Sequence, residues 1–386
     1  MTKTLCILGS TGSIGTQALE VCEHLGIAVA GLAVGGSRLD LAERQVRRFS
    51  PAYCAVSDED AAKDLRTRLA DTATQVLGGK DSAAALADKT NADTVLNAIT
   101  GIAGLLPTLA AIRAKKTLAL ANKETLVAAG ELVNALLSET GVTMLPVDSE
   151  HCAIHQCIDK RPKSEIARLI LTASGGSLFG KTREELSQVD VRQALTHPNW
   201  SMGKKITVDS STLVNKGLEL IEAIRLFGLP EDKIDILVHR ESVVHSMASF
   251  VDGSVMAQLA VPDMRLCIQY ALTYPEKKAG LTKPLDLAQV GKLTFYPVDS
   301  EAFPSVELAR SAVRRGGVYP CVFNGANEAC VDLFLREKIR FTDIFDLLSY
   351  ALETAKPHSL ELSLDAILEA DKEARTLVYE KAARDV

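Results

Sequence analysis

Apolar runs of about 20 residues, the length a membrane-crossing helix needs, occur nowhere in the 386-residue chain. No membrane partner is therefore expected. An excess of positive charge is also missing: the formal net charge is −6, which argues against generic nucleic-acid binding. Anionic ligands must then be held by local basic groups and backbone dipoles. Eight cysteines, at positions 6, 22, 54, 152, 157, 267, 321 and 330, include no C-x-x-C pair. They read as small buried hydrophobes, and Cys152 and Cys157, though close to acidic residues, match no standard zinc spacing. Tryptophan occurs once, at Trp200, and there is no internal repeat or low-complexity segment. The first residues run straight into a strand-like stretch, leaving no room for a signal or transit peptide, so a cytoplasmic location is expected. What is present is ordinary globular material, 47% hydrophobic and 24% charged, able to bury a large core in more than one domain.

The opening residues read as strand, glycine turn, helix: Thr4-Leu5-Cys6-Ile7-Leu8, then Gly9-Ser10-Thr11-Gly12-Ser13-Ile14-Gly15, then Thr16-Gln17-Ala18-Leu19. Glycines at such a turn let the backbone approach a pyrophosphate, and the following helix N-terminus offers free N–H groups and a positive dipole end. The spacing G-x-x-G-x-x-G departs from G-x-G-x-x-G, so the context of strand and helix carries the reading. At the end of the second strand, 28–34, an NAD site would place an acid against the ribose 2′-hydroxyl. Here stand Gly35-Gly36-Ser37-Arg38, with no acid until Asp40, which favours NADP(H). The alternative is that Arg38 is a solvated residue opening the next helix.

Strands are expected at 53–56, 94–97, 117–121 and 143–146, with helices between them such as 58–70 and 105–114, giving a parallel doubly wound sheet. Ligands of such sheets bind beyond the carboxyl ends of the strands. One of these ends carries Asn122-Lys123-Glu124, which reads either as a ligand-facing lysine or as a plain helix start capped by Asn122. Another carries Pro146-Val147-Asp148-Ser149-Glu150-His151, two carboxylates and an imidazole within four residues, equally readable as a helix start capped by Ser149.

Beyond it, a strand over 167–172 leads to Ser174-Gly175-Gly176, a candidate anion loop, and Lys204–Val208 leads into Asp209-Ser210-Ser211-Thr212, which looks like the capped start of a helix over 213–227. Plain capping is the first reading of those serines, although Lys216 could help hold a phosphate. Asn215 and Glu219, four apart, share a helix face. Residues 196–203, with His197, Trp200 and Met202 bracketed by Pro198 and Gly203, form either a closing loop or a core-anchored tryptophan. Residues 234–260 alternate around the turn Val251-Asp252-Gly253-Ser254 and read as antiparallel sheet suited to dimer contacts. A Pro- and Gly-containing linker follows, and from 301 onward helices prevail, over 306–314, 328–337, 342–354 and 363–381.

Taken together, GSTGSIG, ANKETLV, PVDSEH, LTASGG, HPNWSMG, VDSSTLVNKGLE and VHSMASFVDGSVMAQLAVPDMR, in this order between Gly9 and Arg265, resemble the 1-deoxy-D-xylulose 5-phosphate reductoisomerase family. The resemblance implies an α/β fold: an N-terminal Rossmann-like NADPH-binding domain (1–148), a central α+β catalytic and connective domain with metal site, phosphate site and flap (149–273), a linker (274–299) and a C-terminal α-helical domain (300–386). It implies that a phosphorylated ketose, 1-deoxy-D-xylulose 5-phosphate, is isomerised and then reduced by NADPH to 2-C-methyl-D-erythritol 4-phosphate. The divalent ion, Mg²⁺ or Mn²⁺, would be held by Asp148, Glu150 and Glu219, oxygen donors suited to those metals.

The same resemblance gives Lys123 and Ser149 to the substrate near its reacting carbons, and Ser174, Ser210, Asn215 and Lys216 to its phosphate. His197, Trp200 and Met202 would form the flap, and His151 would stand beside the metal. Cofactor contacts would come from Thr11, Gly12, Ser13, Ile14, Gly35, Gly36, Ser37, Asn122, Glu124 and Gly203. Many relatives carry lysine or asparagine where this chain has Gly36 and Ser37, so Arg38 is the expected substitute at the 2′-phosphate. A homodimer is implied. A simpler NADP-dependent dehydrogenase or a non-catalytic NADP sensor would need no set of three carboxylates.

Overall fold

The computed structural model describes residues 3–200, 202–356 and 362–385, and divides into two compact units. The first comprises Met1–Thr125, Val133–Cys152 and Asp263–Lys283. Its sheet is built from β1 (Thr4–Leu8), β2 (Ala28–Val34), β3 (Tyr53–Val56), β4 (Gln75–Gly78), β5 (Thr94–Asn97), β6 (Thr117–Leu120) and β7 (Met144–Pro146). All pairings are parallel and the spatial order is β4-β3-β2-β1-β5-β6-β7. The order reverses between β1 and β5, the place where open α/β sheets leave a crevice beyond the strands' carboxyl ends. Short runs such as Cys6-Ile7-Leu8 and Val95-Leu96 are wholly buried, as expected for strands covered on both faces.

The helix Ser13–Leu25 buries Gly15, Ala18, Leu19 and Cys22 along one face and ends at Gly26, whose φ of 67° gives the left-handed cap. Another helix of this unit, Met264–Thr273, comes from far down the chain. It packs on Ser13–Leu25, and its Ile268, Ala271 and Leu272 join the core with Leu5, Ile7 and Val147. Read linearly, 264–273 falls in the catalytic region; in space it belongs with the nucleotide-type sheet.

The second unit comprises Leu126–Leu132, Ala153–Pro262 and Pro284–Val386. Its sheet holds β8 (Ile166–Ala173), β9 (Ile234–Val238), β10 (Val244–Phe250), β11 (Val255–Leu259) and β12 (Tyr296–Pro297), ordered β11-β10-β8-β9-β12. The hairpin β10–β11 is antiparallel as expected, with Asp252 accepting from Ser254 N–H in the turn. The sheet as a whole is not antiparallel: β8 and β9 run parallel, Ala173 beside Val238. Parallel neighbours need a long crossover, and the helical segment between β8 and β9 supplies it.

The expected helix start at Asp209–Thr212 is likewise corrected. Lys204–Ser211 is itself helical, and Asp209, Ser210 and Ser211 lie at its end. Leu213 adopts a φ of 59°, breaking the chain before the helix Val214–Phe227, and no side chain caps that second helix. Four helices, Ser305–Arg315, Tyr319–Leu335, Asp343–Thr354 and Leu364–Asp385, complete the unit around Phe323, Phe341 and Phe345. No described helix is long and apolar enough to cross a membrane.

Candidate active site

At the switch point, Gly9 has a φ of 89°, and a Cβ there would stand 2.7 Å from the Ala98 carbonyl oxygen, so only glycine fits. Gly15 presses on the Gly9 and Ser10 backbone, bringing the helix against the turn. Gly12 precedes Ser13–Leu25 in extended conformation, with no side-chain cap and no acid in the first turn. The helix end is thus left open to an anion. Gly12 and Ser13 are exposed, whereas Thr11 is half-buried and Ile14 packs against the core.

Arg38 Nη1 donates to the Thr11 carbonyl oxygen at 2.6 Å, tying the turn after β2 to the glycine turn. Gly36 has a φ of 111° and approaches Asp58 and Ala61, while Gly35 and Ser37 are exposed. Asp40 pairs with Arg68 at 2.7 Å instead of standing beside the turn.

The ends of β6 and β7 carry the densest chemistry. Leu120 and Pro146 are register partners, so Lys123 and Asp148, three and two residues further on, emerge side by side. Lys123 Nζ lies 2.6 Å from Asp148 Oδ2, and His151 Nδ1 lies 3.1 Å from Asp148 Oδ1. All three are buried. Burial alone would raise the Asp148 carboxyl, but the Lys123 ammonium and the His151 ring outweigh it and hold it well below the usual carboxylate range. An ionised Asp148 only accepts, so the His151 proton facing it sits on Nδ1.

The helix Ser149–Ile158 is started by Asp148, not Ser149: Oδ1 takes the Glu150 N–H at 3.1 Å and the Asp148 carbonyl takes the Cys152 N–H at 2.8 Å. Ser149 Oγ instead donates to Glu150 Oε2 at 2.5 Å. Asp148 and Glu150 each offer an oxygen within 4.8 Å of the other. Two hard oxygen donors at that spacing fit Mg²⁺ or Mn²⁺. The thiol reading gains nothing, since Cys152 hydrogen-bonds Cys267, whose thiol that bond and burial push up.

Asn122 caps the helix Lys123–Thr140 by accepting the Thr125 N–H at 3.0 Å, and its amide donates to the Ile99 and Gly101 carbonyls and to Glu124 Oε2. The capping reading and the ligand-facing lysine are therefore compatible. Asn122 is committed to the backbone, and Lys123 is committed to Asp148.

In the second unit, Ser174-Gly175-Gly176 follows β8 directly, with φ of 74° at Gly175 and 63° at Gly176. A Cβ on Gly176 would sit 2.8 Å from the Ser210 carbonyl oxygen, so this loop lies against the end of the helix carrying Ser210. His197 Nδ1 accepts the N–H groups of Asn199 and Trp200 at 3.2 and 2.9 Å. Its proton is therefore on Nε2, which donates to Ser174 Oγ at 2.9 Å. The Gly176 N–H also donates to that oxygen, at 3.2 Å. With both lone pairs engaged, the Ser174 hydroxyl proton is left to point at an anion. Burial, then the charge of Arg240, lowers His197 to about 4, so its ring is neutral.

Trp200 faces His245 across 6.1 Å, ring centre to ring centre. Met202 is half-buried and Gly203 begins the helix Lys204–Ser211, while Ser201 lies outside the described residues. Asn215 Nδ2 donates to Glu219 Oε1 at 2.5 Å and Lys216 Nζ pairs with Glu219 Oε2, both acceptor and ammonium buried. The shared face of Asn215 and Glu219 is thus a direct contact.

Known proteins resemble this chain along nearly its whole length. The family model for 1-deoxy-D-xylulose 5-phosphate reductoisomerase matches residues 5–130, and two models described as the C-terminal domains of that enzyme match 144–227 and 259–377. The 1-deoxy-D-xylulose 5-phosphate reductoisomerase of Acetivibrio thermocellus is 50% identical over 382 residues, covering 98% of this chain and 99% of its own. That of Caldanaerobacter subterraneus is 48% identical, covering 99% and 100%. The chain belongs to the 1-deoxy-D-xylulose 5-phosphate reductoisomerase family.

A family member from Zymomonas mobilis, solved with NADPH, superposes with a TM-score of 0.93 at 38% identity over 99% of both chains. Another reductoisomerase, solved with NADPH, fosmidomycin and magnesium, gives 0.93 at 39% identity over 99% of this chain and 98% of its own.

Within this family fold, two side chains stand out that the motifs did not single out. Arg240 donates to the carbonyls of Ser174 and Gly176. His245 is buried beside Trp200, and its burial, with lesser effects of His239 and Lys216, brings it down to about 4. Arg240 sits in the connection between β9 and β10, where a lone arginine after a strand carries no periodic or spacing signal. His245 lies inside VHSMASF, and only its polarity at an inward-facing strand position marks it.

Proposed function

We propose that this chain converts 1-deoxy-D-xylulose 5-phosphate to 2-C-methyl-D-erythritol 4-phosphate, using NADPH and one Mg²⁺ or Mn²⁺ ion. The observation that carries the reading is the buried Lys123–Asp148–His151 cluster with Glu150 beside it, at the carboxyl ends of β6 and β7. Full-length identity to named reductoisomerases supports it, as does the presence of NADPH, fosmidomycin and magnesium in similar structures. A plain dehydrogenase would leave the paired carboxylates without a role.

Asp148, Glu150 and Glu219 would hold the ion; Thr11, Gly12, Ser13 and Ile14 of the glycine turn, with Gly35, Gly36, Ser37, Arg38, Asn122, Glu124 and Gly203, would hold the cofactor. When bound, the ion would polarise the substrate's carbonyl and hydroxyl oxygens, and NADPH would supply hydride. The chain's own groups do the rest. Lys123 and His151 keep Asp148 anionic in a buried setting, so a cation meets a ready ligand. Lys123 Nζ and Ser149 Oγ would hydrogen-bond the substrate near its reacting carbons. Ser174 presents its hydroxyl proton because His197 and the Gly176 N–H occupy its lone pairs. Ser210, Asn215 and Lys216 would complete the phosphate site, and residues 196–203, with Trp200 and Met202, would close over it and expel water.

The division of labour is nucleotide binding in 1–148, to which the helix Met264–Thr273 adds its packing, catalysis in the rest of 149–273, a linker over 274–299 and support by the helices of 300–386. The working form is a homodimer in the cytoplasm. The test is NADPH consumption on addition of 1-deoxy-D-xylulose 5-phosphate, with and without divalent metal. Consumption that requires both substrate and metal is expected, and metal-independent or absent consumption would sink the reading.

A further inference from the structure

The carboxyl ends of β8 and β9 lie side by side, Ala173 in register with Val238. Immediately beyond them stand the Ser174–Gly176 loop and Arg240. Arg240 Nη1 donates to the Ser174 carbonyl and, at 2.6 Å, to the Gly176 carbonyl. The guanidinium packs 5.1 Å over the Phe179 ring, which limits its freedom to swing away. Its own carbonyl accepts from Asn199 Nδ2 at 2.7 Å, and the same amide reaches Ser242 Oγ at 2.8 Å. Among the described residues no carboxylate lies within ion-pairing distance of this guanidinium; Glu241 acts on it only at longer range. A half-buried, unneutralised arginine whose donors serve backbone carbonyls is costly to hold. It calls for an anion nearby.

A peptide unit directs its N–H opposite to its C=O. Carbonyls drawn to Arg240 therefore leave the N–H groups of Gly175 and Ser177, which belong to the same two peptide units, directed to the other side. We infer that Arg240 is a positioning residue for the substrate's phosphate: it orients the Ser174–Gly176 loop so that N–H dipoles and the Ser174 hydroxyl face the anion, and it sets a fixed positive charge behind them. Through its carbonyl it also ties the loop to Asn199, two residues from His197, whose ring bonds Ser174. The loop and the flap segment are thus held together at two points. The inference rests on the phosphorylated-ketose reading above.

The test is steady-state kinetics of the full-length enzyme with 1-deoxy-D-xylulose 5-phosphate, for Arg240→Gln and Arg240→Lys. In Arg240→Gln the KM rises about 10-fold, the scale of one charge-assisted hydrogen bond, while kcat changes by less than about 3-fold. Arg240→Lys keeps the charge but not the forked donors, and its KM rises about 3-fold. A KM unchanged in whichever variant folds overturns the inference, and so does a fall in kcat at constant KM. Absence of turnover by the unsubstituted enzyme would instead strike the functional reading itself.

Discussion

The ends of β6 and β7 and the ends of β8 and β9 use one device for opposite purposes. In each, two adjacent parallel strands deliver a basic side chain and its acceptor to neighbouring positions. Lys123 meets a carboxylate, Asp148, whereas Arg240 meets two peptide carbonyls and keeps its full charge. A lysine neutralised by an acid marks a place where the acid is wanted and the lysine stands in for a cation. An arginine spent on carbonyls marks a place where positive charge itself is wanted. Within the second unit Glu219 is engaged in a comparable way, because with Asn215 and Lys216 gathered on it, a carboxylate occupies groups suited to a phosphate. The carboxylates Asp148 and Glu219 are therefore compensated before any ligand arrives, so ligand binding exchanges their partners, whereas Arg240 keeps an uncompensated charge for the ligand to meet.

The comparison breaks first at the carboxylates. Glu219→Ala should lower metal-dependent NADPH oxidation by about 1,000-fold, since metal polarisation is worth several kcal/mol, yet leave NADPH affinity nearly unchanged in a fluorescence titration. Asp148→Asn should match it in activity and also lower stability by about 3 kcal/mol, because Lys123 and His151 lose their counter-charge inside the protein. Urea unfolding checks this second part. Equal stability would mean that Lys123 finds another anion and that the pairing is incidental.

A smaller effect separates the regions by pH. His197 and His245 are both lowered from 6.5 to about 4, so the unfolded chain binds protons that the native one refuses. Their contribution to stability is complete above pH 6.5 and is lost as pH falls toward 4. The Asp148 contribution survives this range and is lost only at lower pH, as its native carboxyl finally protonates. Urea midpoints should therefore decline between pH 6.5 and 4.5, and His197→Gln should flatten that decline. An unchanged slope would place the histidine in a more open setting than its contacts imply.

The mildest change concerns the cofactor. Arg38 is exposed and bonded to Thr11, so Arg38→Ala should reduce the preference for NADPH over NADH by only about 5-fold in kcat/KM, in keeping with a solvent-screened contact. Complete loss of discrimination would make Arg38 the sole reader of the 2′-phosphate.

Much of this was legible in the residues, for stated reasons. β3 and β5 fall where apolar runs are bounded by turn residues, and Asp148 and Glu150 stand out as two acids with an imidazole directly after an apolar strand, although the same residues also suit a helix start. β4 was missed because an edge strand of four residues, half-buried, has no continuous apolar signature. The helix Lys204–Ser211 was not foreseen, because the β-branched Ile206, Thr207 and Val208 give it little helical signal, and no residue type announces the positive φ of Leu213 that breaks the chain after it. Asp148 outcompeted Ser149 as cap because its Oδ1 reaches the Glu150 N–H, while the Ser149 hydroxyl turns to the Glu150 carboxylate. Arg240 could not be found by spacing at all, since its meaning lies in which strand becomes the neighbour of β8.

The helix Met264–Thr273 carries a consequence for biosynthesis. A ribosome releasing this chain from the N-terminus presents all seven strands of the first sheet by Pro146, yet Ile268, Ala271 and Leu272, which seal its core, are still more than a hundred residues from being made. The nascent sheet must wait with an apolar face uncovered while an entire further segment emerges, a window in which chaperone capture or aggregation competes with completion.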